Sequence, residues 1–307
     1  MAGKPDKGST STSDRLTDTR LNGAWSGFHI VVVQLLFHQR FSILSEGKTY
    51  QDIIVKKEDG IGWITLNRPH RLNTMTIDMM NEFISALNDF ESDKDVKCIV
   101  VTGAGEKAFS AGADVTSFTG VTPSMAVDAS MKGHELTSRI EGIGKIVIAC
   151  INGYALGGGL EVSLACDFRI ASESAQLGPT EIKLGLIPGW GGTQRLTRIV
   201  GLAKAKELVM LGDRIKAEQA LKIGLVTRVV PLAKLVEETK AFAKNFVEGP
   251  PVALKAAKHA LNYATQVPLD IGLKFESEAF GIVLSTKDVM EGVSAFMSKR
   301  KPEFKGK

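Results

Sequence analysis

The stretch Ile-Val-Ile-Ala-Cys-Ile-Asn-Gly-Tyr-Ala-Leu-Gly-Gly-Gly-Leu-Glu, residues 146–161, constrains the fold of this chain more than any other. Its first six residues are uninterruptedly apolar, β-branched for the most part and too few for a buried helix. They read as a buried strand. Three consecutive glycines, 157–159, follow, and a helix is expected from there to about Ala165. A buried strand running into glycines and then a helix demands an α/β architecture. It also leaves the unpaired N–H groups of the helix's first turn close to whatever lies beyond the end of the strand.

The rest of the chain agrees with this class. Residues 52–57 and 61–67 read as two strands turning at Asp59-Gly60. Residues 76–90 repeat Ile77, Met80, Phe83, Ile84, Leu87 and Phe90 at helical spacing. A short strand is expected at 97–102, a Gly- and Ala-rich loop at 103–120, a helix at 124–140 and a strand at 167–171. A second loop, with Pro179 and Pro188, follows at 178–192. Helices dominate after Thr193, interrupted by a strand at 225–230, and Pro250-Pro251 opens a final helical segment. The order is a loosely repeated ββα, then α. Domain limits follow as 1–47, 48–248 and 249–307. Residues 1–20 are Ser, Thr, Lys, Arg and Asp without apolar period, so 1–47 is expected to be a disordered extension. Asp6, Asp14 and Asp18 argue against a mitochondrial transit peptide there, which leaves the cytoplasm as the expected compartment and the mitochondrial matrix as the alternative.

Composition excludes several classes of function. Lys and Arg number 38 against 34 Asp and Glu, a balance of +4 too weak to imply nucleic acid. Cys98, Cys150 and Cys166 are odd in number and form no C-x-x-C pair, so buried thiols are expected rather than disulfides or zinc. The apolar run 28–37 is too short to span a bilayer. Gly103 to Ala108 fits G-x-G-x-x-A, but no helix is expected to open there and Asp128 falls within a helix, so the dinucleotide reading is set aside.

Three segments carry chemistry: Ala111-Gly112-Ala113-Asp114, residues 152–161, and Gly178-Pro179-Thr180-Glu181 running into residues 186–196. Glu161 lies in the first turn of the glycine-led helix. Taken alone it either complements the helix dipole or stands beside free N–H donors as a catalytic carboxylate. Glu181 alone is either a solvated loop acid or the second member of such a pair. With Ala113 and the glycines as backbone donors, the two carboxylates make a set suited to proton chemistry next to a carbonyl. The sequence has no G-x-S-x-G elbow and no histidine pair at ligand spacing, so no metal is expected. Lys107 is a candidate phosphate partner. Arg195, Arg198, Lys204 and Lys206 read either as a basic face or as simply solvated cations, and Trp190 either as a cap on a pocket or as a ring packed on a neighbour.

From about Tyr50 to Lys307 the chain resembles the enoyl-CoA hydratase (crotonase) superfamily. The resemblance rests on Asn67-Arg68-Pro69, residues 111–114, 152–159 and 187–196, and the ending 285–300. It implies a crotonase-like spiral of ββα units with a C-terminal helical trimerisation region. It also implies an acyl-CoA thioester substrate bound by trimers or dimers of trimers, with no cofactor beyond the coenzyme A of the substrate, and neither DNA nor membrane as partner. By motif, the oxyanion donors are the N–H groups of Ala113 and Gly158, and the catalytic acids of the hydratase branch are Glu161 and Glu181. Ala111, Gly112, Asp114, Val115, Thr116, Gly157, Phe280 and Lys299 match positions lining the coenzyme A site. Many hydratases have Pro directly before the second acid, whereas here Pro179 stands one residue earlier. The resemblance extends to short-chain archaeal hydratases, some of which dehydrate 3-hydroxypropionyl-CoA during carbon fixation. Rival readings are a same-fold isomerase with one working acid and an RNA-binding member of the superfamily.

Overall fold

The computed structural model describes residues 48–118 and 120–307, so the expectations for residues 1–47 lie outside the described residues. The strands are β1 (Ile53–Glu58), β2 (Ile61–Leu66), β3 (Cys98–Gly103), β4 (Ala108–Ser110), β5 (Ile146–Ile151), β6 (Tyr154–Leu156), β7 (Phe168–Ser172), β8 (Gln176–Gly178), β9 (Ile215–Lys216) and β10 (Arg228–Val230). They form two sheets, ordered β1-β2-β3-β5-β7-β10 and β4-β6-β8-β9. β3 and β4 precede the Pro123–Gly142 helix, β5 and β6 the Gly158–Ala165 helix, and β7 and β8 the Gly192–Val200 helix. In every turn the first strand joins the large sheet and the second the small one. Both sets run parallel to their predecessors, which makes the expected spiral of ββα units.

The apolar runs of β3 and β5 are explained by burial on both faces. Ile99, Val101, Val147, Ala149 and Ile151 point into the main core with Phe83, Leu136 and Leu160. The alternate residues Cys98, Val100, Ile146, Ile148 and Cys150 meet Leu235 and Ala243 of the Leu235–Val247 helix on the other face. All three cysteines are buried and free.

Two segments expected to be loop carry more structure. Residues 103–120 contain β4 and a 3-10 turn, Val115–Phe118, and residues 178–192 contain the 3-10 turn Glu181–Leu184. Three-residue strands have no readable period, and only the neighbouring turn of the spiral makes them strands. The expected strand at 225–230 shrinks to Arg228–Val230, because the Leu225 carbonyl accepts from Arg169 Nε at 2.7 Å instead of pairing in a ladder. The glycines at 103–105 lead to β4, not to a helix. The buried Asn152 amide donates to the carbonyls of Gly103, Gly105 and Ala108, which ties down the β3–β4 connection and disposes of the dinucleotide motif.

The Pro251–Tyr263 helix is anchored to this core by a buried charge pair. Lys258 Nζ lies 2.8 Å from Asp167 and also donates to the carbonyls of Ile140 and Lys145, while Asp167 accepts the Val147 N–H at 2.7 Å. Removing only the cation strands a buried carboxylate. Lys258→Ala is therefore expected to lower unfolding free energy by roughly 3–5 kcal/mol in urea titrations, with much of the loss recovered in a Lys258→Met/Asp167→Asn double variant.

Candidate active site

The ends of β4, β6 and β8 lie side by side, and each feeds one part of the site. After β4 the chain turns at Gly112 (φ +103°), where a Cβ would stand 3.0 Å from the Gly158 nitrogen. Ala113 forms a lone bridge with Met75, in which the Met75 N–H donates to the Gly112 carbonyl and the Asp114 N–H to the Met75 carbonyl. That pattern leaves the Ala113 N–H without an acceptor among the described residues. The Gly158 N–H, at the first position of its helix, is likewise unpaired there, whereas Gly157 donates to the Gly178 carbonyl at 3.0 Å. The two expected donors are thus adjacent and both free, and no side chain fits between them.

Gly158 has a second constraint. A Cβ there would stand 2.2 Å from the Trp190 ring, which also lies against Gly133 of the Pro123–Gly142 helix. The indole fills the space between two helices, a buried wall beside the donors.

The helix that Gly158 opens is buried at every position, and Glu161 on it is 2% exposed. Its Oε1 accepts the N–H groups of Trp190 and Gly192, both at 2.7 Å. Gly192 begins the Gly192–Val200 helix, so the carboxylate caps a positive helix end. Burial pushes the Glu161 pKa up, against which the two N–H bonds and the nearby Arg195 hold it down. Glu181 begins its 3-10 turn three residues after β8 ends, with Pro179 and Thr180 as the link. Its carboxyl faces the glycine turn, Oε1 lying 3.5 Å from where a Gly157 Cβ would be. Neither oxygen makes a hydrogen bond of ordinary geometry among the described residues. Burial and then the Glu161 charge push its pKa up to about 7, opposed only by its own N–H. Two like acids thus sit in unlike environments: burial raises the pKa of both, but Glu161 is held by two backbone N–H donors from the 190–192 loop, which oppose the rise, whereas Glu181 has only its own N–H.

The other expected residues are distributed unevenly. Ala111, Gly112 and Gly157 line the donor turn. Asp114 accepts from the Thr116 hydroxyl at 2.7 Å and from Arg68 at 3.0 Å, which together hold its carboxyl below the usual range. It thereby fixes the segment that carries Ala113. Val115 and Thr116 are exposed beyond it. Phe280 is 65% exposed on the Leu269–Leu284 helix, and Lys299 is exposed just past the Lys287–Met297 helix. Lys107 is exposed as well, and the fold uses its carbonyl, which accepts the Tyr154 N–H at 3.0 Å. Arg195 does not belong to a solvated basic face. Its side chain is 14% exposed, lies 2.9 Å from Glu141 and donates to the Trp190 carbonyl, although Arg198 and Lys206 do face solvent. Sequence reasoning missed the grip of Trp190 and Gly192 on Glu161, because backbone donors carry no residue signature. The glycines flanking Trp190 were the available signal.

The model of the enoyl-CoA hydratase/isomerase family matches residues 56–307. A short-chain-enoyl-CoA hydratase of Clostridium acetobutylicum is 42% identical over 252 residues, 82% of this chain and 97% of the relative. A crotonyl-CoA hydratase of Syntrophomonas wolfei is 38% identical over 83% of this chain and 98% of its own length. The crystal structure of an enoyl-CoA hydratase from Bacillus anthracis superposes with a TM-score of 0.81 at 42% identity, covering 84% of this chain and all of that one. The chain belongs to the enoyl-CoA hydratase/isomerase family and has the crotonase fold.

The raised pKa of Glu181 has a stability consequence. Its folded-state value exceeds the unfolded one, so its contribution is complete below about pH 4.5 and is lost as pH rises through about 7. At most about 3 kcal/mol is involved before solvent screening is allowed for. Glu181→Gln is expected to raise Tm at pH 8 by a few degrees relative to the parent, with the difference vanishing toward pH 4.5 in calorimetric scans.

Proposed function

We propose that the chain catalyses reversible syn addition of water to short-chain trans-2-enoyl-CoA thioesters. The observation that carries this reading is the pair of buried carboxylates in unlike environments beside two free backbone donors. In this reading the thioester oxygen accepts the N–H groups of Ala113 and Gly158, which draws electrons from the double bond and stabilises the enolate that forms. Glu161, ionised, removes a proton from water as the hydroxyl group adds to the β-carbon. Glu181, neutral, gives its proton to the α-carbon. The elements of water are then in the product, and proton exchange between the acids restores the starting state. The named hydratase relatives support this over isomerisation, which needs only one acid. Trp190, wedged beside Gly158, supports a short acyl group.

A second part of the proposal is self-association as a trimer or dimer of trimers. Leu269, Leu273, Phe280, Met290 and Phe296 expose a broad apolar surface on the last two helices, more than a lone soluble chain ordinarily shows. Phe280 and Lys299 would then line the coenzyme A site from a neighbouring copy. Light scattering on the purified chain is expected to give a multiple of three protomer masses.

The reaction is tested by following loss of enoyl-thioester absorbance with crotonyl-CoA. The panel should include 3-hydroxypropionyl-CoA in the dehydration direction. Glu161→Gln and Glu181→Gln are each expected to lower kcat by roughly 10²- to 10⁴-fold. Because the neutral form of Glu181 donates, hydration by the parent should decline as pH rises past about 7. Full activity of Glu181→Gln toward a 3-enoyl-CoA, with no hydration by the parent, would favour isomerisation instead.

A further inference from the structure

The loop that grips Glu161 is itself held, and the holding group is Arg195. This side chain leaves the Gly192–Val200 helix and spans back across its own N-terminus. Nη1 donates to the Trp190 carbonyl at 3.1 Å, and Nη2 lies 2.9 Å from Glu141 at the far end of the Pro123–Gly142 helix. Gly191, between the two peptides that bond Glu161, has φ +102°, and a Cβ there would stand 2.2 Å from Nη1. The guanidinium therefore lies flush against the loop backbone. The Trp190 carbonyl also accepts the hydroxyl of Thr137 at 3.1 Å, so one peptide unit is pinned at its oxygen by two helices while its residue's N–H holds the catalytic carboxylate.

We infer that Arg195, tethered by Glu141, is a positioning residue that sets the orientation and the ionised state of Glu161 through the 190–192 backbone. Arg195 touches neither substrate nor the reacting atoms. It acts by fixing the peptides that donate to Oε1 and by placing a positive charge behind them. Among the described residues, the charged groups that act on Glu161 are Glu181 from the 3-10 turn and Arg195 from the Gly192–Val200 helix; from the Pro123–Gly142 helix, Glu141 meets Arg195 and His134 lies near Gly191. The helix bearing Glu161 has no other charged residue. Arg195 is the only cation in this set, and loss of it leaves Glu161 facing the Glu181 carboxyl with no compensating positive charge.

The inference rests on the hydratase reading, and the experiment separates the two. Arg195→Met keeps the length of the side chain but removes its charge and both contacts. It is expected to lower kcat for crotonyl-CoA by about 10- to 100-fold with KM changed by less than about threefold, and to move the acid limb of kcat/KM to higher pH. Arg195→Lys, which keeps the charge but not the two-ended reach, should return the acid limb toward that of the parent while restoring kcat only in part. Should Arg195→Met fail to fold, Glu141→Gln frees the guanidinium while leaving its charge in place, and is expected to lower kcat by less without moving the acid limb to higher pH. A folded Arg195→Met enzyme with kcat and acid limb equal to those of the parent would overturn the inference. If the parent hydrates nothing, the function reading fails. The inference is then decided by ¹³C titration of the Glu161 carboxyl, whose midpoint must rise in Arg195→Met and would refute it by staying put.

Discussion

Everything in this site depends on holding a carboxyl group inside a protein core. Glu161 sits on a helix with no solvent-facing residue, where an isolated anion would be expelled or neutralised. It is tolerated because two N–H groups from one loop converge on a single oxygen at 2.7 Å. Those groups belong to the start of another helix, so the anion also faces a partial positive charge. The arrangement explains the composition around it. Trp190 and Gly192 must bring their backbones within reach, Gly191 must take a left-handed turn between them, and Gly158 must leave room for the indole.

The same charge shapes its neighbour. Glu181 has only its own N–H to stabilise an anion, and negative charge on Glu161 raises the cost of a second one. Its acid form is thus favoured first by its own burial and then by the charge held on Glu161. Anything that loosens the 190–192 loop alters both acids together, which couples Arg195 and Glu141 to chemistry that they do not touch.

Much of this was legible in the chain, and the division is physical. The runs at β3 and β5 announce apolar strands, and the glycines before Glu161 announce a helix start, because burial and backbone freedom leave marks in residue type. The family resemblance supplied Glu161, Glu181, Ala113 and Gly158 in their positions, and the structure brings all four to the ends of adjacent strands. What the chain hid was made by backbone or by long-range pairing. The strands β4, β6 and β8 are three residues each and exist only against one another. Arg195 looked like one of several surface cations because nothing near it in sequence reveals Glu141, more than fifty residues earlier. The N–H donors to Glu161 have no side-chain signature at all.

The small sheet is more than a brace between the spiral and its helices. β4 and β6 are parallel neighbours, and the free N–H groups of Ala113 and Gly158 lie just beyond their ends. Adjacent strands lie about 4.8 Å apart whatever their sequence. Two donors separated by about that distance can both reach a single oxygen midway between them, since each hydrogen bond spans about 2.9 Å. In the proposed reaction the gauge of the β-sheet would thus serve as a ruler for the thioester oxygen, and Glu181 follows the end of β8, the next strand over. Side chains around the pocket can change while that spacing stays constant, so the proposed reaction would entrust the step that most needs accuracy to the least mutable dimension of the protein.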